Sequence, residues 1–255
     1  MAAIHGLLNE AVKIDKRYKL HTPSPTEAGE ADVLRYINSY IKKIGEPINL
    51  SIGKLNFNNI IGANKIEGTP KADIALVSFN GKILNNVCFI SHKMGVGAEG
   101  FQQYSGTTTK ADGPSPGSIS QDPFVIKFLS DLVKLHPKIV KDKKRYFRTI
   151  TSSTLVGKSV YGPLYGSRNK NEENIDLLGQ GYARMSGRGK SHQLTFTSHT
   201  IFGPNVKPFM NGDYTAIIGA RYSSGRNFTA NGKEYSGVRV LIMPKRLIGG
   251  QAEEI

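Results

Sequence analysis

This chain of 255 residues lacks several features, and each absence excludes a class of protein. Cys88 is the only cysteine, so the chain has neither an intramolecular disulfide nor a zinc site built from several thiolates. No apolar run approaches the ~20 residues that are needed to cross a bilayer. The N-terminal stretch has acids and helical periodicity where a signal peptide has a continuous apolar region. We therefore expect a cytoplasmic protein that is not secreted and has no membrane partner.

Acidic residues are also few, with 20 Asp and Glu against 34 Lys and Arg, which gives a formal net charge of +14. Such an excess attracts polyanions, and we expect DNA as the partner. A basic surface on a protein without a polyanionic partner is the alternative. Hydrophobic residues make up 38% of the chain, which is enough to bury a sizeable core.

Hydrophobic periodicity predicts an ordered series of elements. Helical spacing predicts helices over residues 4–14, over about Pro25 to Ile44, and over the run DPFVIKFLSDLVKLHP that begins at Asp122. Between the last two, LNFNNIIGANKI, DIALVSF and NVCFISHK predict three strands, and Asn80-Gly81 predicts a tight turn. The stretch KDKKRYFRTITSSTLV predicts a basic cluster that runs into a further strand.

Beyond about residue 155 the sequence changes character. Frequent glycines separate short runs such as HQLTFTSHTIF, YTAIIGARY and GVRVLIMP, which predict strands joined by turns. The stretch GQGYARMSGRGKSH predicts a loop rich in glycine and arginine. We therefore predict an α/β protein with a core over residues 1–150 and a β-rich extension over 151–255, and it stays open whether the extension belongs to the same globule.

Two charged residues stand at the ends of the predicted hairpin. Antiparallel pairing brings the start of its first strand beside the end of its second, so Asp73 and Lys93 are expected to meet at one edge of a sheet. A carboxylate there holds a divalent cation, which acidifies a water, while the lysine positions or deprotonates the nucleophile. Strand alternation places Ser91 with Lys93 and leaves His92 its backbone carbonyl as a metal ligand. Taken alone, Asp73 is more typical of an acid that starts a strand after a turn, and Lys93 of a solvated strand end.

These residues resemble the PD-(D/E)xK nuclease superfamily. The signature of that family is an acid at the start of one strand and (D/E)xK at the end of the next, on a restriction-endonuclease-like αβββαβ core. Pro70 and Asp73 are similar to the PD pair, and Ser91 to Lys93 are similar to the tripeptide, within residues 26 to 150. The resemblance implies a DNA endonuclease that depends on Mg²⁺ or Mn²⁺. Its catalytic residues would be Asp73, Ser91 and Lys93, and its metal ligands Asp73, Ser91 and the carbonyl of His92.

The sequence departs from this family at Ser91, because the family usually has Asp or Glu there. A hydroxyl binds Mg²⁺ less well than a carboxylate. The family often places a glutamate on the preceding helix, and the resemblance therefore makes Glu30, ahead of Glu27, a candidate catalytic residue and metal ligand; Glu99 is a further acid nearby. The alternative for both helix residues is stabilisation of the helix dipole.

Residues that would contact DNA fall into three groups. The segment GFQQYSG is similar to a helix that flanks the site in exonuclease branches of the family. Clustered cations supply affinity without specificity, and cations among glycines are suited to follow the DNA backbone or enter a groove. The candidates are Gln102 and Gln103 in the first group, Lys143, Lys144 and Arg145 in the second, and Arg184, Arg188 and Lys190 in the third.

Two other functions fit the same sequence. A non-catalytic DNA-binding protein on the nuclease-like fold would explain Ser91 as the record of a lost carboxylate. A structural or assembly protein of a virus would use the β-rich tail for packing. The stretch FISHKMGVGAEGFQQYSG resembles nuclease-like proteins of tailed phages, which implies a phage source and the cytoplasm of a host cell. A homodimer is left open.

Overall fold

The computed structural model describes residues 25–67, 71–107, 119–166, 173–202 and 205–255. The helix predicted over residues 4–14 lies outside the described residues, as does Pro70 of the predicted motif. The described part of the chain contains helices and two sheets, each with parallel and antiparallel neighbours. The predicted α/β class is therefore confirmed.

The described residues form three α-helices and thirteen strands. The helices are α1 (Pro25–Ile44), α2 (Pro123–Asp142) and α3 (Ser153–Tyr161). The strands are β1 (Ile48–Ile52), β2 (Leu55–Lys65), β3 (Ile74–Phe79), β4 (Leu84–Lys93), β5 (Ser105–Gly106), β6 (Arg145–Thr149), β7 (Leu177–Gln180), β8 (Ala183–Arg188), β9 (Ser191–Phe196), β10 (His199–Phe202), β11 (Ala216–Ala230), β12 (Lys233–Pro244) and β13 (Ala252–Glu254). Within these ranges, no helix has the length and apolarity needed to cross a membrane.

The helices begin where the chain offers a capping group. Asp122 accepts a hydrogen bond from the backbone N–H of Phe124 at 2.9 Å, and Pro123 occupies the first turn of α2. The helix continues past Pro137 to Asp142, five residues beyond the predicted run. Ser152 caps α3 in the same way, through the N–H of Leu155 at 3.2 Å. The prediction that a strand runs through TSSTLV is therefore wrong. Strand β6 ends at Thr149 and α3 begins at Ser153, because the Ser152 hydroxyl caps a helix there.

The chain folds into two units, each of which is built from two separate stretches of sequence. The first consists of the described residues within Met1–Val96 and Asn169–Gly203, and the second of those within Gly97–Arg168 and Pro204–Ile255. Each unit thus combines segments from both sides of residue 150, and the predicted boundary between residues 150 and 151 falls inside the second unit.

The first unit is one eight-stranded sheet with α1 packed against it. The strand order is β10-β7-β4-β3-β2-β1-β9-β8. Strand β1 was not predicted, because INLSI is short and follows directly after the helix end. The apolar stripe of α1 and one face of the sheet share a buried core that includes Ile37, Ile41, Leu50, Ile74, Ile90 and Leu194. Burial of this stripe against the sheet is the main stabilising contribution to α1.

One long hairpin closes the sheet around α1. A single register without a shift runs from Leu177 paired with Phe202 to Arg188 paired with Ser191, so β7–β8 is one arm and β9–β10 the other. The first arm pairs with β4 through β7, and the second pairs with β1 through β9. A Cβ at Gly179 would lie 2.5 Å from the Phe196 ring, so glycine there lets the two arms pack closely. The sheet must curve, because one hairpin borders both sides of the β1–β4 meander.

The second unit has a five-stranded sheet in the order β13-β6-β11-β12-β5, with α2 against β11 and β12. Along the chain the described order is α1, β1 to β5, α2 and β6, so β1 and β5 add to the predicted αβββαβ series. Its last helix and strand, α2 and β6, belong to the second unit. The parallel neighbour of β4 is instead β7, from the predicted extension. Sequence order and sheet order differ here because the pairing that joins β4 to β7 spans more than eighty residues.

Candidate active site

The strand pair β3–β4 places the predicted site residues together. Ile74 pairs with Ile90, so Asp73 lies directly opposite Ser91. The Ser91 hydroxyl donates a hydrogen bond to Oδ2 of Asp73 at 2.9 Å, and the backbone N–H of His92 donates to the same oxygen at 2.7 Å. Nζ of Lys93 lies 3.6 Å from that oxygen. The expected convergence of Asp73 and Lys93 at one sheet edge is thus found.

This pair is only partly accessible to water. The side chains of Lys93 and Asp73 are 25% and 22% exposed, respectively. Partial burial lowers the local dielectric constant, so their attraction exceeds that of a surface ion pair. The remaining exposure leaves a route for a ligand to both groups.

His92 contributes its main chain to the site and its ring to the core. Its Nε2 lies 2.7 Å from the carbonyl oxygen of Gly181 and therefore donates the hydrogen bond, and the ring lies 6.0 Å from that of Phe196. Burial lowers the pKa of His92, and the neighbouring Lys93 charge acts in the same direction. The neutral ring thus points away from Ser91 and Lys93, as strand alternation predicts.

Lys71 is a charged neighbour that sequence reasoning missed. Its pKa is lowered to about 7, mainly by burial and to a smaller extent by repulsion from Lys93. The Asp73 carboxylate acts in the opposite direction and raises this pKa. Lys71 stands two positions before Asp73, and alternation in KAD is the signal that would have found it. The end of the β3–β4 strand pair that carries Asp73 therefore combines one carboxylate with two lysines.

Glu30 lies in the first turns of α1. It is buried, with 9% exposure. A Cβ added to its neighbour Gly29 would lie 2.3 Å from Cγ of Met94, so α1 and Met94 are closely packed at this point. Helix α1 packs on the sheet face that carries Ile74 and Ile90, whereas Ser91 faces the other way. The role of Glu30 as a metal ligand stays a prediction.

The sequence also offers two other acids, Glu27 and Glu99. The side chain of Glu27 lies outside the described part of the chain. Glu99 belongs to the second unit and forms an ion pair with Arg246 at 2.7 Å. Across the described ranges, no group of three or more His, Cys, Asp and Glu side chains is placed to hold a metal ion.

The donor atoms beside Lys93 are nevertheless suited to a hard divalent cation. They are the Asp73 carboxylate, the Ser91 hydroxyl and the His92 carbonyl, all of them oxygen. Mg²⁺ is commonly bound through one or two carboxylates, with waters and substrate phosphates as the remaining ligands. The three contacts to the Asp73 carboxylate named above all involve Oδ2. Oδ1 takes part in none of these three contacts. The residues present fit Mg²⁺ or Mn²⁺.

The dense basic cluster at Lys143–Arg145 is held by partners inside the second unit. Nζ of Lys143 lies 3.1 Å from the centroid of the Tyr222 ring. Lys144 forms an ion pair with Glu253 at 2.6 Å, and Arg145 donates to the carbonyl oxygen of Ile248 at 2.8 Å. Their predicted contact with DNA is untested.

The glutamine candidates also lie in the second unit. The expected helix is only a short 3₁₀ turn, Ala98–Gly100, and Gln102 follows it with an exposed side chain. Oε1 of Gln103 accepts a hydrogen bond from Arg239 at 3.1 Å. Tyr104 is buried and donates to the carbonyl oxygen of Tyr214 at 2.6 Å, and burial raises its pKa. Tyr104 is therefore a core residue.

The predicted Gly/Arg loop is a strand, which corrects the sequence interpretation. Ala183 and Met185 face the core, while Arg184 and Arg188 are exposed on the other face of β8. Lys190 lies in the turn that follows. The glycines obscured this alternation of apolar and polar residues. In the described part of the chain, no ion pair or hydrogen bond holds the side chains of Arg184, Arg188 and Lys190.

Comparison with known proteins gives one informative likeness. The chain is 31% identical over 196 residues to the Type II restriction enzyme CviJI of Paramecium bursaria Chlorella virus IL3A. The match covers 73% of this chain and 51% of that enzyme, so the chain spans about half the length of the curated relative it matches. No family model matches the chain, and no solved structure matches it.

Proposed function

We propose that this protein is a metal-dependent DNA endonuclease whose active site is the edge formed by Asp73, Ser91 and Lys93. The observation that carries the proposal is the distance of 3.6 Å between Nζ of Lys93 and Oδ2 of Asp73. A carboxylate that can hold a divalent cation, beside a lysine that can position a water, suits metal-assisted hydrolysis of a phosphodiester. Similarity to a protein named as a restriction enzyme supports the same reaction.

Each residue has a role that its position allows. Asp73, with the Ser91 hydroxyl and the His92 carbonyl, would hold Mg²⁺ or Mn²⁺, and Glu30 is retained as a further proposed ligand. The bound ion supplies Lewis acidity at the scissile phosphate. Lys93 positions the attacking water through its ammonium protons. Ser91 and the N–H of His92 fix the Asp73 carboxylate through two hydrogen bonds to Oδ2, which also fixes the direction of Oδ1.

We propose a restriction-endonuclease-like core within the first unit. Helix α1 and the antiparallel strands β2, β3 and β4 follow the order of the PD-(D/E)xK resemblance. Strand β7, as the parallel neighbour of β4, takes the place that chain order assigned to β6. The predicted phage origin and host cytoplasm stay predictions.

We also propose that the β8–β9 ribbon contacts the DNA. Gln180 pairs with Lys93 at the site edge, and the same strand arm continues to Arg184 four residues later, roughly 13 Å along an extended chain. Residues 177–202 contain no Asp or Glu. The outward side chains of the ribbon are cations, hydroxyls and one amide, which are suited to contact phosphate oxygens and base edges. Those side chains are Arg184, Ser186, Arg188, Ser191, Gln193 and Thr195.

The direct test is a plasmid nicking assay with Mg²⁺ or Mn²⁺. We expect the unmodified protein to convert supercoiled plasmid to nicked or linear forms and Asp73→Asn to leave it intact. Asp32→Asn is the matched control, because Asp32 is an exposed acid of α1 that pairs with Arg35. Cutting by Asp73→Asn at the unmodified rate would show that the assignment is wrong.

A non-catalytic DNA-binding protein is the second candidate, and Ser91 favours it. A site with one carboxylate binds a divalent cation more weakly than one with two. This candidate predicts a mobility shift of the plasmid without strand breaks at every metal concentration. The same gel therefore separates the two functions.

A further inference from the structure

Two arginines face each other on the long β11–β12 hairpin of the second unit. Arg221 pairs with Arg239 in the antiparallel register. Directly opposite residues have Cβ atoms about 5 Å apart, and like charges in such a pair are destabilising. Both arginines lie on the face that carries Ile217 and Met243, and both are half-buried.

A third arginine joins this pair. The register of β11 and β12 is interrupted between Tyr222 and Asn227, and Arg226 lies in this irregular segment with an exposed side chain. Burial lowers the pKa of Arg239, and repulsion from Arg226 and Arg221 lowers it further. Arg226 thus lies in the irregular segment that directly follows the Arg221–Arg239 pair, and its charge acts on Arg239.

No acid in the described residues neutralises the three arginines. Strand β11 contains no Asp or Glu, and the one acid of β12, Glu234, accepts a hydrogen bond from Asn227 at 2.7 Å. Arg239 donates to Oε1 of Gln103, which is neutral. By contrast, Arg148 of the same unit pairs with Asp131 at 2.7 Å.

We propose that Arg221, Arg226 and Arg239 form a phosphate-binding site, and that its ligand is a backbone phosphodiester group of DNA. The planar fork of a guanidinium group binds phosphate oxygens through two parallel hydrogen bonds. A phosphate would offset the repulsion between the facing arginines. Gln103 orients Arg239, and its amide nitrogen is a further donor. The phosphate site stands on the arginines alone, and only the choice of DNA as the ligand rests on the proposed function.

The test measures binding of a fluorescent DNA duplex by anisotropy, without divalent metal, over a range of salt concentrations. Each phosphate contact contributes about 0.9 to the slope of log affinity against log salt. We expect Arg221→Ala and Arg226→Ala each to reduce that slope by about 0.9. Lys233→Ala, which removes an exposed cation from the same hairpin, should leave the slope unchanged. Arg226 is exposed, so its replacement spares the core.

A second arm distinguishes the source of the phosphate. Thermal unfolding is followed with and without inorganic phosphate, using sulfate-free buffer at constant ionic strength. One outcome would support the site and overturn DNA as its ligand. In that outcome, phosphate stabilises the unmodified protein but not Arg226→Ala, while the salt slope of DNA binding is the same in both proteins. Unchanged slopes in both arginine variants and no phosphate effect would overturn the site altogether. Neither arm requires cleavage, so a protein that never cuts DNA still gives a decisive result.

Discussion

The two basic regions of this molecule differ in what surrounds their charges. Lys143, Lys144 and Arg145 stand together in the sequence, yet a ring, a carboxylate and a carbonyl oxygen of the same unit hold them. The cations of the β8–β9 ribbon are spread over seven residues, and none of them has a partner in the described part of the chain. The closely spaced cluster thus contributes to the fold, and the sparse one faces outward.

This difference shows that charge density along a sequence does not identify a binding surface. A cation that already donates to the protein must break that contact before it binds a phosphate, and an exposed one does not. The proposed DNA contact is therefore expected at the ribbon ahead of the 143–145 cluster.

The largest effect on DNA binding is expected from removing the three ribbon cations together, in Arg184→Ser/Arg188→Ser/Lys190→Ser. Loss of three phosphate contacts lowers the salt slope by about 2.7 and weakens duplex binding on the order of 10²-fold near physiological salt. Fluorescence anisotropy over a salt series measures both quantities. The triple variant Lys143→Ala/Lys144→Ala/Arg145→Ala changes the net charge equally and should retain most of the affinity. Equal losses in the two variants would remove the distinction between the regions.

Arg148→Ala extends the comparison to stability. Arg148 continues the basic run, is 19% exposed, pairs with Asp131 at 2.7 Å and stacks on the Phe128 ring. Loss of a hydrogen bond between charged groups costs about 1.5–3 kcal/mol, which corresponds to a drop in melting temperature of roughly 3–10 °C for a chain of this size. Calorimetry measures the drop. An unchanged melting temperature would show that the Arg148–Asp131 pair does not stabilise the fold.

Ser91→Ala tests how the site depends on its neighbours. The Ser91 hydroxyl donates to Asp73 at 2.9 Å, and such a bond is worth about 1 kcal/mol. We expect single-turnover cleavage to slow about 5-fold to 10-fold. The control is Ser186→Ala, which removes an exposed hydroxyl from the ribbon. At saturating DNA concentration it should cleave at the unmodified rate. A loss of several orders of magnitude would instead make Ser91 an indispensable ligand.

Lys71 gives a predicted dependence of stability on pH. Its pKa is lowered from 10.5 to about 7, so between these values the unfolded chain holds a proton that the folded chain lacks. Stability therefore rises with pH through this window, and Lys71 adds no pH dependence below it. Urea unfolding near pH 7.5 and pH 9.5 measures the rise, which should be smaller in Lys71→Met. The same rise in both proteins would contradict the lowered pKa.

Local sequence signals predicted much of the first unit. The bounds of α1, the strands β3 and β4, and the meeting of Asp73 with Lys93 follow from periodicity and the Asn80-Gly81 turn, which act over short distances. These features are confirmed because neighbouring segments of the chain determine them. The pairing of Ser91 with Asp73 depends also on a register shift between Leu76 and Val77, which the turn signal does not predict.

The sequence signals did not predict which distant strands pair with each other. Nothing in the LLGQ run of β7 indicates that it pairs with β4, since parallel pairing depends on contacts far apart in the chain. The glycines of β8 obscured its alternation, and the partners of Lys144 and Arg145 come from the segment after residue 245. The Arg221–Arg239 pair likewise depends on the register of a long hairpin.

The most direct measurement of the central claim is single-turnover cleavage of bound duplex DNA in Mg²⁺ by Lys93→Ala. We predict that cleavage falls by about 10²–10⁴-fold while DNA affinity changes little, because Lys93 acts at the scissile phosphate. Lys82→Ala, an exposed lysine in the turn at the far end of the same strand pair, should cut at the unmodified rate. Cleavage by Lys93→Ala at that same rate would contradict the account.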